Sequence, residues 1–357
     1  MKVGAPAGVV VLAAAVLFLS TGCSSLGYYA QSVSGHLKLL GAARPVPEWL
    51  ADASTPDPLK SRLELTQRIR DYAVTALQLP DNASYRRYAD LQRSAAVWNV
   101  VAAPELSLKL ETWCFPVVGC VAYRGYYHRD EANGYAEQMR ARGLDAGVYG
   151  VPAYSTLGVL PGAYFADPLL NTFVQYPDGE LARLIFHELS HQVAYASGDT
   201  VFNESFATAV ERVGSARWLA EQGSVAAHTE FVAGESRRAD FRALTTAYRD
   251  RLNALYASTA SDDDKRRGKA ELIAQLRTEH ASLKAGAWQG YAGYDGWFAR
   301  VNNSSFGVLS AYTELVPQFE RLLHAEGGDL PRFYAEVRRL AALPMAERRP
   351  ALQDVAR

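Results

Sequence analysis

Leu181–Ala209 reads LARLIFHELSHQVAYASGDTVFNESFATA. Within it His187-Glu188-Leu189-Ser190-His191 is a complete HExxH, and thirteen residues past His191 stands Glu204, preceded by Asn203. Residues four apart on a helix share a face, so His187 and His191 can offer imidazole nitrogens to one ion. Glu188 is turned about 100° away and can reach the outer side of that ion, where a water would sit. Two His ligands, a neighbouring carboxylate and an open coordination position make the donor set of a metal-dependent hydrolase.

The flanks predict helices. Pro177-Asp178-Gly179-Glu180 gives a turn and an acidic first turn, and Leu181, Leu184, Ile185, Leu189 and Val193 recur near helical spacing. Ser197-Gly198-Asp199 stops this helix, with Gly198 as its C′ residue, and Asn203 reads as the N-cap of a second one. A helix, a short reversal and a second helix let Glu204 fold back as the third protein ligand of a His2Glu zinc set. Asp199 and Glu211 are the competing carboxylates; Glu211, two turns beyond Glu204, is better placed to support a ligand. A bare HExxH arises by chance in roughly one chain in a hundred or fewer, and a lone helical His is ordinarily structural. The apolar helix and the spaced Glu204 separate this stretch from that background.

HELSH followed by NESFA resembles the gluzincin branch of zinc peptidases, in which HExxH precedes an Asn-Glu pair whose Glu binds zinc. The longer run ARLIFHELSHQ…GDTVFNESFATAVERVG, with VWNVVAAPE, CFPVVGCVAYRGYY and GVPAYSTLG, is similar to a bacterial family of predicted aminopeptidases, typically lipoproteins. That likeness runs from about Gly22 to Tyr312. It implies a zincin-like metallopeptidase acting on peptides, with His187, His191 and Glu204 on one Zn2+ and Glu188 as general base to a zinc-activated water. The spacer before Glu204 is shorter than in thermolysin-like enzymes, and no GxMEN-type motif is present to grip a substrate amino terminus. Exopeptidase and endopeptidase therefore both stay open, and the aminopeptidase subtype comes from the family's name. Tyr312, Tyr154, His228 and the Tyr291/Tyr294 pair are candidate oxyanion donors, with Tyr312 favoured; Glu211 and Thr208 are candidate acceptors for the ligand histidines.

The amino terminus reads as a processing signal. Lys2, the apolar Val9–Leu19 and Ser20-Thr21-Gly22-Cys23 form n-region, h-region and cleavage site. Cys23 after Gly22 resembles a bacterial lipobox, although Ser20 stands where Leu is usual; an ordinary secretory signal is the alternative. The apolar run is too short for a permanent membrane span. The expected organisation is a signal peptide over 1–22, a lipidated Cys23 and tether over 23–58, and one catalytic domain over 59–357. The protein would be anchored in the cell envelope, facing the periplasm. Cys114 and Cys120, the remaining pair in an exported chain, predict a local disulfide. With Lys+Arg 37 against Asp+Glu 38, the net charge of -1 argues against a nucleic-acid partner.

The rest of the chain predicts an α+β, predominantly helical fold. A helix is expected over 59–78, strands over 95–102, 117–127 and 147–154, and a helix over 129–143. Tyr154–Leu157 is a candidate sheet edge for extended substrate. Helices over 217–255 and 265–283 form a hairpin, either solvated or a partner-docking arm, followed by a mobile aromatic loop over 286–298. Helices from 302 to about 324 and over 331–342 complete a C-terminal helical region. The rival to the peptidase reading is a zinc-stabilised, chaperone-like or peptide-binding envelope lipoprotein without turnover.

Overall fold

A computed structural model describes residues 27–115, 119–153 and 163–355. The signal segment, Cys23 and Tyr154–Leu157 lie outside the described residues. The described chain begins in a helix, α1, over 27–41, followed by β1 (Arg44–Pro45), α2 (Val46–Ala51) and α3 (Asp57–Thr75). The expected tether through Pro58 is corrected here: Leu39, Leu40 and Val46 are buried in the main core. The prolines that read as spacer chemistry instead set helix starts. Pro45 and Pro56 occupy N-cap positions, and Pro47 and Pro58 fall in first turns, where the missing N–H costs nothing.

The sheet that faces the site has β3 (Val97–Pro104) at its centre, between β6 (Arg124–Tyr126) and β7 (Leu144–Val151), all antiparallel. Pairing runs from Val97 opposite Val151 to Pro104 opposite Leu144. Strand alternation splits β3 into two faces. Val100 and Ala102 pack with Ala132, Ala136 and Met139 of α4 (Arg129–Ala141). On the opposite face lie Asn99 and Val101, with Ser304 of α10 (Asn303–Thr313) close to Gly147. Asn303 joins that helix to the sheet end by donating to the carbonyls of Pro104 and Glu105. The stretch expected as one strand over 117–127 contains two, β5 (Gly119–Val121) and β6. β5 turns back on β4 (Trp113–Phe115), with Cys114 opposite Cys120.

A second small sheet joins β1, β2 (Arg87–Ala89) and β8 (Leu169–Leu170). The main core is helical: α5 (Asp178–Ser190) and α6 (Thr200–Gln222) lie against α3, α11 (Val316–Ala325), α12 (Leu330–Ala341) and α13 (Met345–Val355). Phe186, Phe202, Phe206, Phe319 and Phe333 fill it, each almost wholly buried. The helix expected over 217–255 breaks at Gly223, and α7 (Val225–Ala257) restarts with Ser224 capping Ala227 N. The expected helix from 302 to 324 likewise divides into α10 and α11.

α7 and α8 (Asp262–Ala285) form the predicted hairpin, but its base is not merely solvated. Phe241, Leu252 and Leu276 make a second core with Trp288, Phe298 and Phe306. The aromatic stretch 286–298 is thereby pinned. Tyr294 stacks on Phe241 at 4.3 Å, and Phe298, in α9 (Asp295–Arg300), stacks on His280 at 3.9 Å. Burial of these rings overrides the mobility that the glycines suggested. Among the described residues, no helix is long and apolar enough to cross a membrane.

Candidate metal centre

α5 ends at Ser190, so His191 is its C-cap, earlier than the Ser197–Asp199 stop that the sequence predicts. The chain then reverses through turns in which Gln192 N donates to Leu189 O and Val193 N to Ser190 O. Gly198 sits at φ +77°, a left-handed conformation that suits glycine. The cap of α6 is Asp199, whose carboxylate accepts from Phe202 N at 3.1 Å, and not Asn203. Asn203 lies inside the helix and clamps the reversal, accepting from Ala196 N at 2.8 Å and donating to Ala196 O at 2.9 Å. Asp199 is also paired with Arg348 at 2.7 Å, which leaves it no part as a ligand.

This local architecture brings His187, His191 and Glu204 together, with one donor atom from each within 4.8 Å of the others. Nε2 of His187 is 3.2 Å from Oε2 of Glu204 and 3.3 Å from Nε2 of His191, and the third edge is 3.7 Å. Donors about 2.0–2.1 Å from a tetrahedral centre lie roughly 3.3 Å apart, so these three edges are close to one face of such a tetrahedron. The donor chemistry agrees. Nδ1 of His187 donates to Oε2 of Glu211 at 2.7 Å, which turns its Nε2 lone pair toward the other two donors. The residues present fit a small divalent ion.

Charge points the same way. Burial opposes a charge on His187, yet Glu204 and Glu211 hold its imidazole well above the ordinary value, so a positive charge is favoured there. His191 is driven down to about 4 by burial and is a neutral donor. Burial would raise Glu204, but His191 and His187 outweigh it and keep the carboxyl low. Glu188 behaves differently: burial pushes it up to about 7, with Glu204 and Asp167 adding to the effect and His187 opposing it. The site thus sets its two carboxyls apart, Glu204 held low and Glu188 pushed up.

Behind the ligands runs a chain of ion pairs. Arg183 bridges Glu211 and Glu235, and Arg238 joins Glu235 to Glu180. Glu211, not Thr208, is thus the acceptor for His187, and it is itself held.

The ligands lie on a cleft of about 330 Å³. The helices α5 and α6 with Tyr195 form one wall. The opposite wall combines Val97 and Asn99 of the sheet, Phe115 and Val121 of the hairpin, and Tyr28 and Tyr29 of α1. The structure joins Cys114 to Cys120 as a disulfide across that hairpin. Gly119 beside it approaches the reversal so closely that a Cβ would stand 3.2 Å from Ser197 Oγ.

The expected oxyanion donors fare differently. Tyr154 and the side chain of Tyr312 lie outside the described residues. His228 is exposed on α7, and Tyr291 and Tyr294 line a separate pocket with Glu180 and Arg237. The donors beside the metal residues are Asn99, Tyr195 and Tyr149, none singled out from sequence. Tyr149 stands opposite Asn99 in the β3–β7 register, and burial, with Glu204 adding, raises its phenol to about 12. Strand alternation around Val97–Pro104 was the one signal for Asn99; nothing local marks Tyr195.

Residues 27–352 match the model of a family described as "Putative aminopeptidase". No curated protein and no solved structure matches the chain.

Proposed function

The chain belongs to the family described as "Putative aminopeptidase", and from that premise we propose that it is a zinc-dependent metallopeptidase removing amino-terminal residues from peptides. The observation that carries this reading is the convergence of His187, His191 and Glu204 in a near-tetrahedral face, with Glu188 beside them on one cleft. His2Glu is a donor set of catalytic zinc, and the adjacent carboxylate is what a hydrolase needs in addition to a bound ion.

Zinc, when bound, supplies Lewis acidity that polarises the scissile carbonyl and acidifies a water. Glu188 would accept the proton of the attacking water and pass it to the leaving amine. Glu211 holds His187 in one tautomer and ring orientation. Tyr195 and Asn99, neutral donors on the cleft wall, are available to the negative charge that develops on the carbonyl oxygen.

The proposal extends to location. Lys2, Val9–Leu19 and Gly22-Cys23 support export and lipidation of Cys23, which would hold the protein on a bacterial envelope membrane facing the periplasm. Four residues lie between Cys23 and the cleft residue Tyr28, five residue steps and at most about 18 Å of extended chain, so the cleft would work close to the membrane surface. Mass spectrometry of the mature amino terminus tests this: an acylated Cys23 is expected, and an unmodified terminus would contradict it.

Function is tested with aminoacyl reporters and the same peptides carrying blocked amino groups. Turnover confined to free-amine substrates is expected. Turnover of blocked peptides would make the protein an endopeptidase, and turnover of neither would remove the peptidase reading.

A further inference from the structure

Away from the metal residues, the cleft is lined by aromatic, aliphatic and neutral polar side chains. Among its described lining residues the carboxylates are Glu188 and Glu204, beside the metal residues, and no Asp, Lys or Arg joins them. Aromatic and aliphatic side chains cover the wall opposite the metal residues: Tyr28, Tyr29, Phe115, Val121 and Tyr123.

That wall is built, not incidental. Tyr28 stacks on Phe115 with centroids 5.6 Å apart and planes at 27°, and the Arg124 guanidinium lies 3.9 Å over the Tyr28 ring. The charge of Arg124 is thus spent on Tyr28, Tyr135 and Tyr126 instead of the cleft. Helix α1 can lie flat here because Gly35 rests on the Tyr127 ring, where a Cβ would come within 2.2 Å of a ring carbon. The first helix is therefore seated as a wall of the site. A volume of about 330 Å³ is at the small end of ligand pockets, enough for one large side chain with its flanking peptide.

We propose that this wall is the specificity subsite of the enzyme: it accepts peptides with a large apolar or aromatic residue next to the scissile bond and rejects acidic and basic ones. The proposal rests on the peptidase reading and names its substrate class. An apolar side chain gains by leaving water for Tyr28, Phe115 and Val121. A charged one would be desolvated with no partner to meet it. Tyr29, 41 % exposed at the rim of α1, sets the outer limit of the subsite.

The test separates binding from turnover. Full-length, zinc-loaded Glu188→Gln protein is titrated with tripeptides that begin with Phe, Leu, Ala, Glu or Lys. Phe and Leu peptides are expected to bind roughly a hundredfold tighter than Glu or Lys peptides, with Ala between. Phe115→Ala should cost the Phe peptide about tenfold more than it costs the Ala peptide. Tyr29→Glu, at an exposed position, should raise the binding of the Lys peptide relative to Phe by about tenfold. Equal binding of charged and apolar peptides, or no binding of any, would overturn the subsite. Selective binding without turnover by the wild type would leave the subsite standing and defeat the peptidase reading instead.

Discussion

His187 stands between two carboxylates of one helix: its Nδ1 is 2.7 Å from Oε2 of Glu211, and its Nε2 is 3.2 Å from Oε2 of Glu204. The two-turn interval between Glu204 and Glu211 on α6 lets one supply a ligand atom while the other fixes the ring. Glu211→Gln keeps the side-chain shape but loses the charge that orients the imidazole. Zinc affinity, measured by competition with a chromogenic chelator, should fall about 10- to 100-fold. An unchanged affinity would show that the ring is held by packing alone.

Arg183 pairs with Glu211 at 3.0 Å on the side away from His187's metal-facing nitrogen, and its side chain is 9 % exposed. Its guanidinium also pairs with Glu235 and lies over Phe231. Arg183→Met takes one partner from each of two carboxylates and leaves Glu211 with His187 and Glu235 with Arg238, so urea unfolding should report a loss of about 1–3 kcal/mol. Arg183→Lys retains a charge but cannot bridge both partners, and an intermediate loss is expected.

The reversal between the ligand helices is tied to the far end of the chain through Asp199 and Arg348, paired at 2.7 Å with side chains 1 % and 5 % exposed. Arg348 donates as well to the carbonyls of Leu340, Ala341 and Leu343. Asp199→Asn preserves a cap for α6 but removes the charge, whereas Asp199→Ala removes both. The Ala variant should be the less stable by about 1 kcal/mol, the ordinary worth of a cap. Equal melting of the two variants would mean that the ion pair, and not the cap, shapes the turn.

His280 stacks on Phe298, and burial lowers its pKa; Asp295, at 3.4 Å, opposes this and Lys284 adds to it. A histidine depressed in the fold binds its proton more tightly when unfolded. Its contribution is therefore complete above about 6.5 and is lost as pH falls below that. Burial depresses His36 in the same direction. Between about pH 7 and about pH 5 the wild type should lose more melting temperature than His280→Gln, because the opposing shifts of His187 and Glu188 are common to both proteins. A slope identical to wild type would assign the acid sensitivity elsewhere.

What could be read in advance was local. The four-residue spacing of His187 and His191 needs only one helix, and the strands around Val97 and Gly147 need only alternation and β-branched residues. The cap of α6 was misread because Asp199 and Asn203 have similar capping tendencies. The choice is made by Arg348, 149 positions away. The tether was misread because prolines mark spacers and helix starts alike, and only the burial of Leu39, Leu40 and Val46 tells them apart. The cleft wall was out of reach for a related reason. Tyr28 meets Phe115 and Asn99 meets Tyr149 only after the sheet has assembled and α1 has docked on it.

The central claim is a catalytic zinc served by Glu188, and the most direct measurement is zinc content with peptide turnover on one full-length preparation. Wild type, Glu188→Gln and Glu204→Ala are compared. The account predicts one zinc per chain and turnover in the wild type. It predicts zinc retained but turnover reduced at least about 100-fold in Glu188→Gln, and zinc lost in Glu204→Ala. A wild-type protein that binds no zinc, or a Glu188→Gln protein that turns over peptide at the wild-type rate, would contradict it.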